Sequence, residues 1–138
     1  MLLTLDSSVI IASLREQESK HKECKKVMES IANGKHIVVT PYTVFVEVVS
    51  AIRRSTGSRN IAENVSANLE NMDTIYFIEL IKSSAKEAVA ISAETGLKGM
   101  DSIVVQIAKE NNSYLVTLDD EMERLAKKVC KIKSTNDF

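Results

Sequence analysis

Four acids stand in stretches of sequence where a charge is costly unless something offsets it. Asp6 is the only charged side chain between Met1 and Leu14 and closes the apolar run Leu2 to Leu5. Glu47 is the only Asp, Glu, Lys or Arg between Lys35 and Arg53, and Asp101 is the sole charge between Lys98 and Lys109. Asp119 follows the run Tyr114 to Thr117 by two residues. Each acid has a structural alternative. Asp6, Asp101 and Asp119 stand where they can cap helices, and Glu47 projects to the edge of an apolar stripe of Val44, Val48 and Ala51. No Lys or Arg lies three or four residues from Glu47 to pair with it.

Taken together the four point to one chemistry. Three fall where a strand ends or a helix begins, and Glu47 lies about two turns into the helix after Pro41, so all can face one crevice. Clustered carboxylates repel and raise one another's pKa, and cations must relieve them if they are to stay ionised. A set of hard oxygen ligands without His or Cys favours Mg²⁺ or Mn²⁺ over zinc or copper. Two such ions suit phosphoryl chemistry, one activating water and one stabilising the leaving oxygen, which makes phosphodiester hydrolysis the natural inference.

The elements that must position these acids alternate along the chain. Strands are expected at Leu2 to Leu5, Ile37 to Thr40, Ile75 to Glu79, Tyr114 to Thr117 and Val129 to Ile132. Helices are expected at Ser8 to Leu14, Ser19 to Ala32, Tyr42 to Arg54, Arg59 to Met72, Lys82 to Glu94, Ser102 to Glu110 and Asp120 to Lys128. Wholly apolar strands alternating with amphipathic helices indicate an α/β fold, a three-layer α/β/α sandwich around a central, mostly parallel sheet of about five strands. Ligands of such sheets bind at the carboxyl ends of the strands, where the strand order reverses. Residues 1–133 read as a single domain and residues 134–138 as a flexible tail.

Composition narrows the classes. A chain of 138 residues with 44% hydrophobic and 27% charged residues is globular in character. Aromatic content of 4% with no Trp argues against base stacking as the main grip on nucleic acid. A net charge of −1 gives no global nucleic-acid footprint. Cys24 and Cys130 lack a CxxC or a neighbouring zinc-spaced His, and read as two reduced thiols. No apolar run approaches the roughly 20 residues of a membrane span, so no membrane association and a cytoplasmic location are expected. His21 and His36 lie outside every acidic motif and are assigned no role.

These motifs resemble those of PIN-domain ribonucleases, a family that includes the VapC-like toxins of VapBC toxin-antitoxin pairs. An opening strand running into Asp6-Ser7-Ser8 matches the family's acid-hydroxyl-hydroxyl start, which assigns Asp6 to metal and Ser8 to support. Thr40-Pro41 through Glu47-Val48 is similar to the second motif and Gly99-Met100-Asp101-Ser102 to the third, making Glu47 and Asp101 metal ligands. Thr117-Leu118-Asp119, with Met122 three positions on, is similar to the fourth, making Asp119 a ligand and Thr117 its support. Asp120, Glu121 and Glu123 all follow, and Asp120 is taken as the additional member.

The resemblance implies a Mg²⁺- or Mn²⁺-dependent ribonuclease in which Asp6, Glu47, Asp101 and Asp119 are catalytic. It implies cleavage by water without a covalent intermediate, leaving a 3′ hydroxyl and a 5′ phosphate. It also implies a homodimer and an antitoxin partner. Arg53, Arg54 and Arg59 are candidates to guide the RNA backbone, with a solvated surface run as the alternative. Two other readings stay open: a non-catalytic α/β interaction module whose acids are caps, and an RNA-processing PIN nuclease that is not a toxin. No GxGxxG, P-loop or DxDxT spacing supports nucleotide binding or an aspartyl-phosphate enzyme.

Overall fold

In the computed structural model, which describes residues 1–138, five short strands alternate with seven helices. They run β1 (Leu2–Leu5), α1 (Ser7–Leu14), α2 (His21–Ala32), β2 (Ile37–Pro41), α3 (Tyr42–Thr56), α4 (Arg59–Glu70), β3 (Ile75–Ile78) and α5 (Lys82–Thr95). Then follow α6 (Gly99–Glu110), β4 (Tyr114–Val116), α7 (Asp120–Ala126) and β5 (Lys131–Ile132).

The strands form one sheet in the order β3-β2-β1-β4-β5, and every neighbouring pair is parallel. Leu3, Leu5, Val38, Leu115 and Val116 expose no surface, as strands covered on both faces require. Right-handed crossovers put α1 to α4 on one face and α5 to α7 on the other. The packing agrees: α1 meets α2 and α3, α3 meets α4, and α6 lies across β2, β1 and β4 beneath α5. The expected three-layer sandwich follows. The strand order reverses between β1 and β4, so their carboxyl ends open a crevice there.

Two helices matter for the site. Pro41 ends β2 and starts α3, whose Val44, Val48 and Ile52 are buried at a helical spacing. This helix runs two residues past the expected Arg54, because the turn chemistry rests on Gly57 alone. Gly57 takes a left-handed φ of 66° and donates its N–H to the carbonyl of Arg53.

Helix α6 begins at Gly99 rather than at the expected Ser102. Lys98 takes the N-cap position, and Asp101 falls in the first turn, where a carboxylate faces the free N–H groups favourably. Every residue from Ser102 to Ala108 is buried, which marks α6 as the central helix under the sheet.

Residues 134–138, expected as a loose tail, are docked instead. Thr135–Asp137 form a 3-10 turn, and Thr135 Oγ1 donates to Glu23 Oε2 at 2.9 Å. The Phe138 ring meets His36 edge-on with centroids 5.3 Å apart and packs on the core. No helix is long and apolar enough to cross a membrane.

Candidate active site

Asp6 is the first residue beyond β1. Its backbone N–H donates to the carbonyl of Val116 at 3.0 Å, which continues the β1–β4 ladder and places Asp6 beside Thr117. It holds the N-cap position of α1, yet its side chain accepts nothing from the helix amides. Its Oδ2 accepts instead from Ser8 Oγ at 2.6 Å and from Thr117 Oγ1 at 2.9 Å. The capping alternative for Asp6 is therefore set aside.

The direction of these bonds is fixed by backbone donors. Ser8 Oγ accepts from the N–H of Leu118 at 3.1 Å, and Thr117 Oγ1 accepts from the N–H of Asp119 at 3.1 Å. An N–H can only donate, so each hydroxyl is left to give its own proton to Asp6. The carboxylate is only 7% exposed, and two charge-assisted bonds hold it in one orientation.

Asp119 does cap its helix. Its Oδ1 accepts from the N–H of Met122 at 2.9 Å at the start of α7, and Oδ2 has no protein partner. One oxygen is structural and the other remains free to bind.

Glu47 and Asp101 come from helices in opposite layers, α3 and α6. Glu47 is an exposed residue in the second turn of α3, and Ser7 Oγ donates to its Oε2 at 3.4 Å. Partial desolvation of its carboxyl group by the surrounding protein raises its pKa above the usual carboxylate range. The negative charges of Asp6 and Asp101 push the same way, and the Ser7 hydrogen bond opposes them. Asp101 is raised by burial first, then by Asp6 and Asp119, with Glu121 adding to the effect and Lys98 opposing it. Each of the four acids thus acts on, or is acted on by, another of the set, and none of them forms a salt bridge.

The donor set fits a hard divalent cation in kind: carboxylate oxygens with free valence, mutual repulsion and no paired cation. It is not closed into a cage. No three His, Cys, Asp or Glu side chains stand close enough together to hold a metal ion. The acids are coupled through their charges without being gathered around one point.

The remaining expected members differ in their placement. Asp120 is exposed at the first position of α7, and the neighbouring acid whose charge reaches Asp101 is Glu121. Arg53 and Arg59 line a groove of about 550 Å³ between α3 and α4 rather than the acidic crevice. Arg59 Nε pairs there with Glu63 at 2.7 Å, and Arg54 is exposed in the last turn of α3. The cation acting on the acids is Lys98, which sequence reasoning passed over. It stands three residues before Asp101 at the start of α6, a signal that becomes readable only once the helix is known to begin at Gly99. Ser7 was likewise missed, because its neighbour Ser8 absorbed the hydroxyl assignment.

An all-parallel sheet with acids at its reversal point, supported by hydroxyls from α1 and from the residue after β4, has a family match. The sequence profile of the PIN domain matches residues 3–128, and the chain belongs to the PIN domain family. Its fold is shared with solved toxin structures. The toxin VapC20 of Mycobacterium tuberculosis, described as cleaving the sarcin-ricin loop, superposes with a TM-score of 0.73 at 15% identity, covering 90% of this chain and 94% of that one. VapBC2 of Rickettsia felis, bound to a DNA fragment from its promoter, gives a TM-score of 0.69 at 13% identity, covering 97% and 98%. FitAcB of Neisseria gonorrhoeae gives 0.63 at 16% identity, covering 96% and 97%. No curated protein matches the chain in sequence.

Proposed function

We propose that this protein is a Mg²⁺- or Mn²⁺-dependent ribonuclease and the toxin of a toxin-antitoxin pair. The observation that supports the reading is the charge coupling of Glu47 to Asp6 and Asp101, and of Asp101 to Asp119, near the β1–β4 reversal, with none of the four in a salt bridge. Asp6, Glu47, Asp101 and Asp119 would hold the cation. When bound, a divalent ion of this kind supplies an activated water and stabilises charge building on the phosphodiester oxygens.

The protein's own groups prepare the site. Ser8 and Thr117 aim the Asp6 carboxylate, and the helix start at α7 aims Asp119 while leaving its Oδ2 uncommitted. Lys98 stands exposed at the crevice edge, where a cation draws an RNA phosphate towards acids that would otherwise repel it. Cleavage leaves a 3′ hydroxyl and a 5′ phosphate. RNA as substrate is supported by the loop-cleaving description of VapC20, and an antitoxin partner by the toxin-antitoxin complexes that share the fold; a homodimer is part of the same reading. The site of action is the cytoplasm.

The test is cleavage of labelled RNAs by the purified protein in EDTA, Mg²⁺ or Mn²⁺, beside Asp101→Asn. Metal-dependent cleavage lost in the variant is the expected result. No cleavage in any condition, with no metal-induced rise in melting temperature, overturns the reading in favour of an interaction module.

A further inference from the structure

We infer that Ser7 is the positioning residue for Glu47, its hydroxyl tethering that carboxylate to the rim of the β1–α1 junction so that it faces Asp6. The inference rests on the proposed metal site and deepens it. Two consecutive serines open α1, and they serve different acids. Ser8 Oγ donates to Asp6 at 2.6 Å, whereas Ser7 Oγ donates to Glu47 Oε2 at 3.4 Å across a separation of 40 residues.

The other three acids have means of orientation that Glu47 lacks. Asp6 is gripped by two hydroxyls, Asp119 by the N–H of Met122, and Asp101 by a short side chain on a helix buried from the next residue onward. Glu47 has a long, rotamer-rich side chain on an exposed position, and its one hydrogen bond comes from Ser7. Ser7 is suited to the task, being 8% exposed at the first helical position and having no other side-chain partner. The Ser7 bond joins the first turn of α1 to the second turn of α3, so the one contact that fixes the Glu47 carboxylate comes from the element that starts at Asp6. A bond of 3.4 Å is weak by itself; its effect is to restrict where the carboxylate can go.

The experiment is Mn²⁺ binding to the full chain by calorimetry, for wild type, Ser7→Ala, Ser7→Thr, Glu47→Ala and the Ser7→Ala/Glu47→Ala double variant, with melting temperature in EDTA as the control. Ser7→Ala is expected to weaken Mn²⁺ binding by about 3- to 10-fold, the range for a hydrogen bond of ordinary net strength and below that of a short bond to a carboxylate, as the 3.4 Å separation requires. Ser7→Thr, which keeps the hydroxyl, retains wild-type affinity, and Ser7→Ala adds nothing in the Glu47→Ala background. Should Ser7→Ala not fold, Ser7→Cys replaces the hydroxyl with a weak donor of similar size and carries the same expectation. Unchanged affinity in Ser7→Ala, or an equal loss with Glu47 already removed, overturns the tether while leaving the metal site standing. A wild-type protein that binds no Mn²⁺ overturns both.

Discussion

Thr117→Val isolates the clamp on Asp6. Valine keeps the shape of the side chain at a position 6% exposed and removes two bonds, the one given to Asp6 Oδ2 at 2.9 Å and the one taken from the Asp119 N–H at 3.1 Å. A hydrogen bond to an ionised group contributes about 1.5–3 kcal/mol, and an orphaned N–H costs about 1 kcal/mol more, at the low end here because Asp119 is only half-buried. The added methyl returns about 0.8 kcal/mol of apolar burial. The net destabilisation is therefore about 2–3 kcal/mol, read from urea unfolding in EDTA. In an Asp6→Asn background the acceptor is neutral and the bond about half as strong, so the same substitution should cost about 1 kcal/mol less. A cost below about 0.5 kcal/mol, or an equal cost in both backgrounds, would refute the clamp.

Asp101→Asn and Glu47→Gln should each melt higher than wild type in EDTA at neutral pH while losing cleavage. Both acids have raised pKa values, so the folded state holds their protons more tightly than the unfolded chain. Wild-type stability from these groups then falls as pH rises from the ordinary carboxylate range through the raised values. The gap between variant and wild type should widen from acidic to neutral pH in thermal melts, and a constant gap would contradict the assignment. Burial pushes the thiols of Cys24 and Cys130 up to about 11, so both should react with Ellman's reagent far more slowly in the native than in the urea-unfolded protein; equal rates would argue against their burial. Arg53→Ala with Arg54→Ala should weaken RNA binding and reduce the slope of log affinity against log salt by about 2, with an unchanged slope removing these arginines from the RNA path.

The sheet and most helices were legible because apolar runs such as Leu2 to Leu5 and the stripe Val44, Val48, Ile52 carry their periodicity openly. The start of α6 was not, since Gly96 and Gly99 look alike in sequence. Only Gly96 takes the left-handed φ, 76°, that ends a helix, while Gly99 opens the next one. The docked tail was hidden for a related reason: Thr135 and Phe138 gain their partners, Glu23 and His36, from more than 100 residues away. For the site, charge isolation in apolar sequence singled out the four acids, and that signal is local. The sequence does not distinguish the acids that follow Asp119, because their effect depends on helix phase: of these, Glu121 adds to the rise in the Asp101 pKa.

The separation of the acids in the crevice follows from where they are mounted. Asp6 and Asp119 sit beyond adjacent strands of one sheet, fixed by ladder and cap bonds, whereas Glu47 and Asp101 reach the crevice from α3 and α6 on opposite faces. No three of the acids meet, and the raised pKa values of Glu47 and Asp101 reflect burial first and the like charges around them second. A cation that bound only the folded chain would, at 100 times its dissociation constant, add about 2.7 kcal/mol to stability. Held by Glu47 and Asp101, such a cation would link α3 and α6 on opposite faces of the sheet. Metal-induced stabilisation should accordingly depend on Glu47 and Asp101 together, the loss from either substitution making the second one cost less.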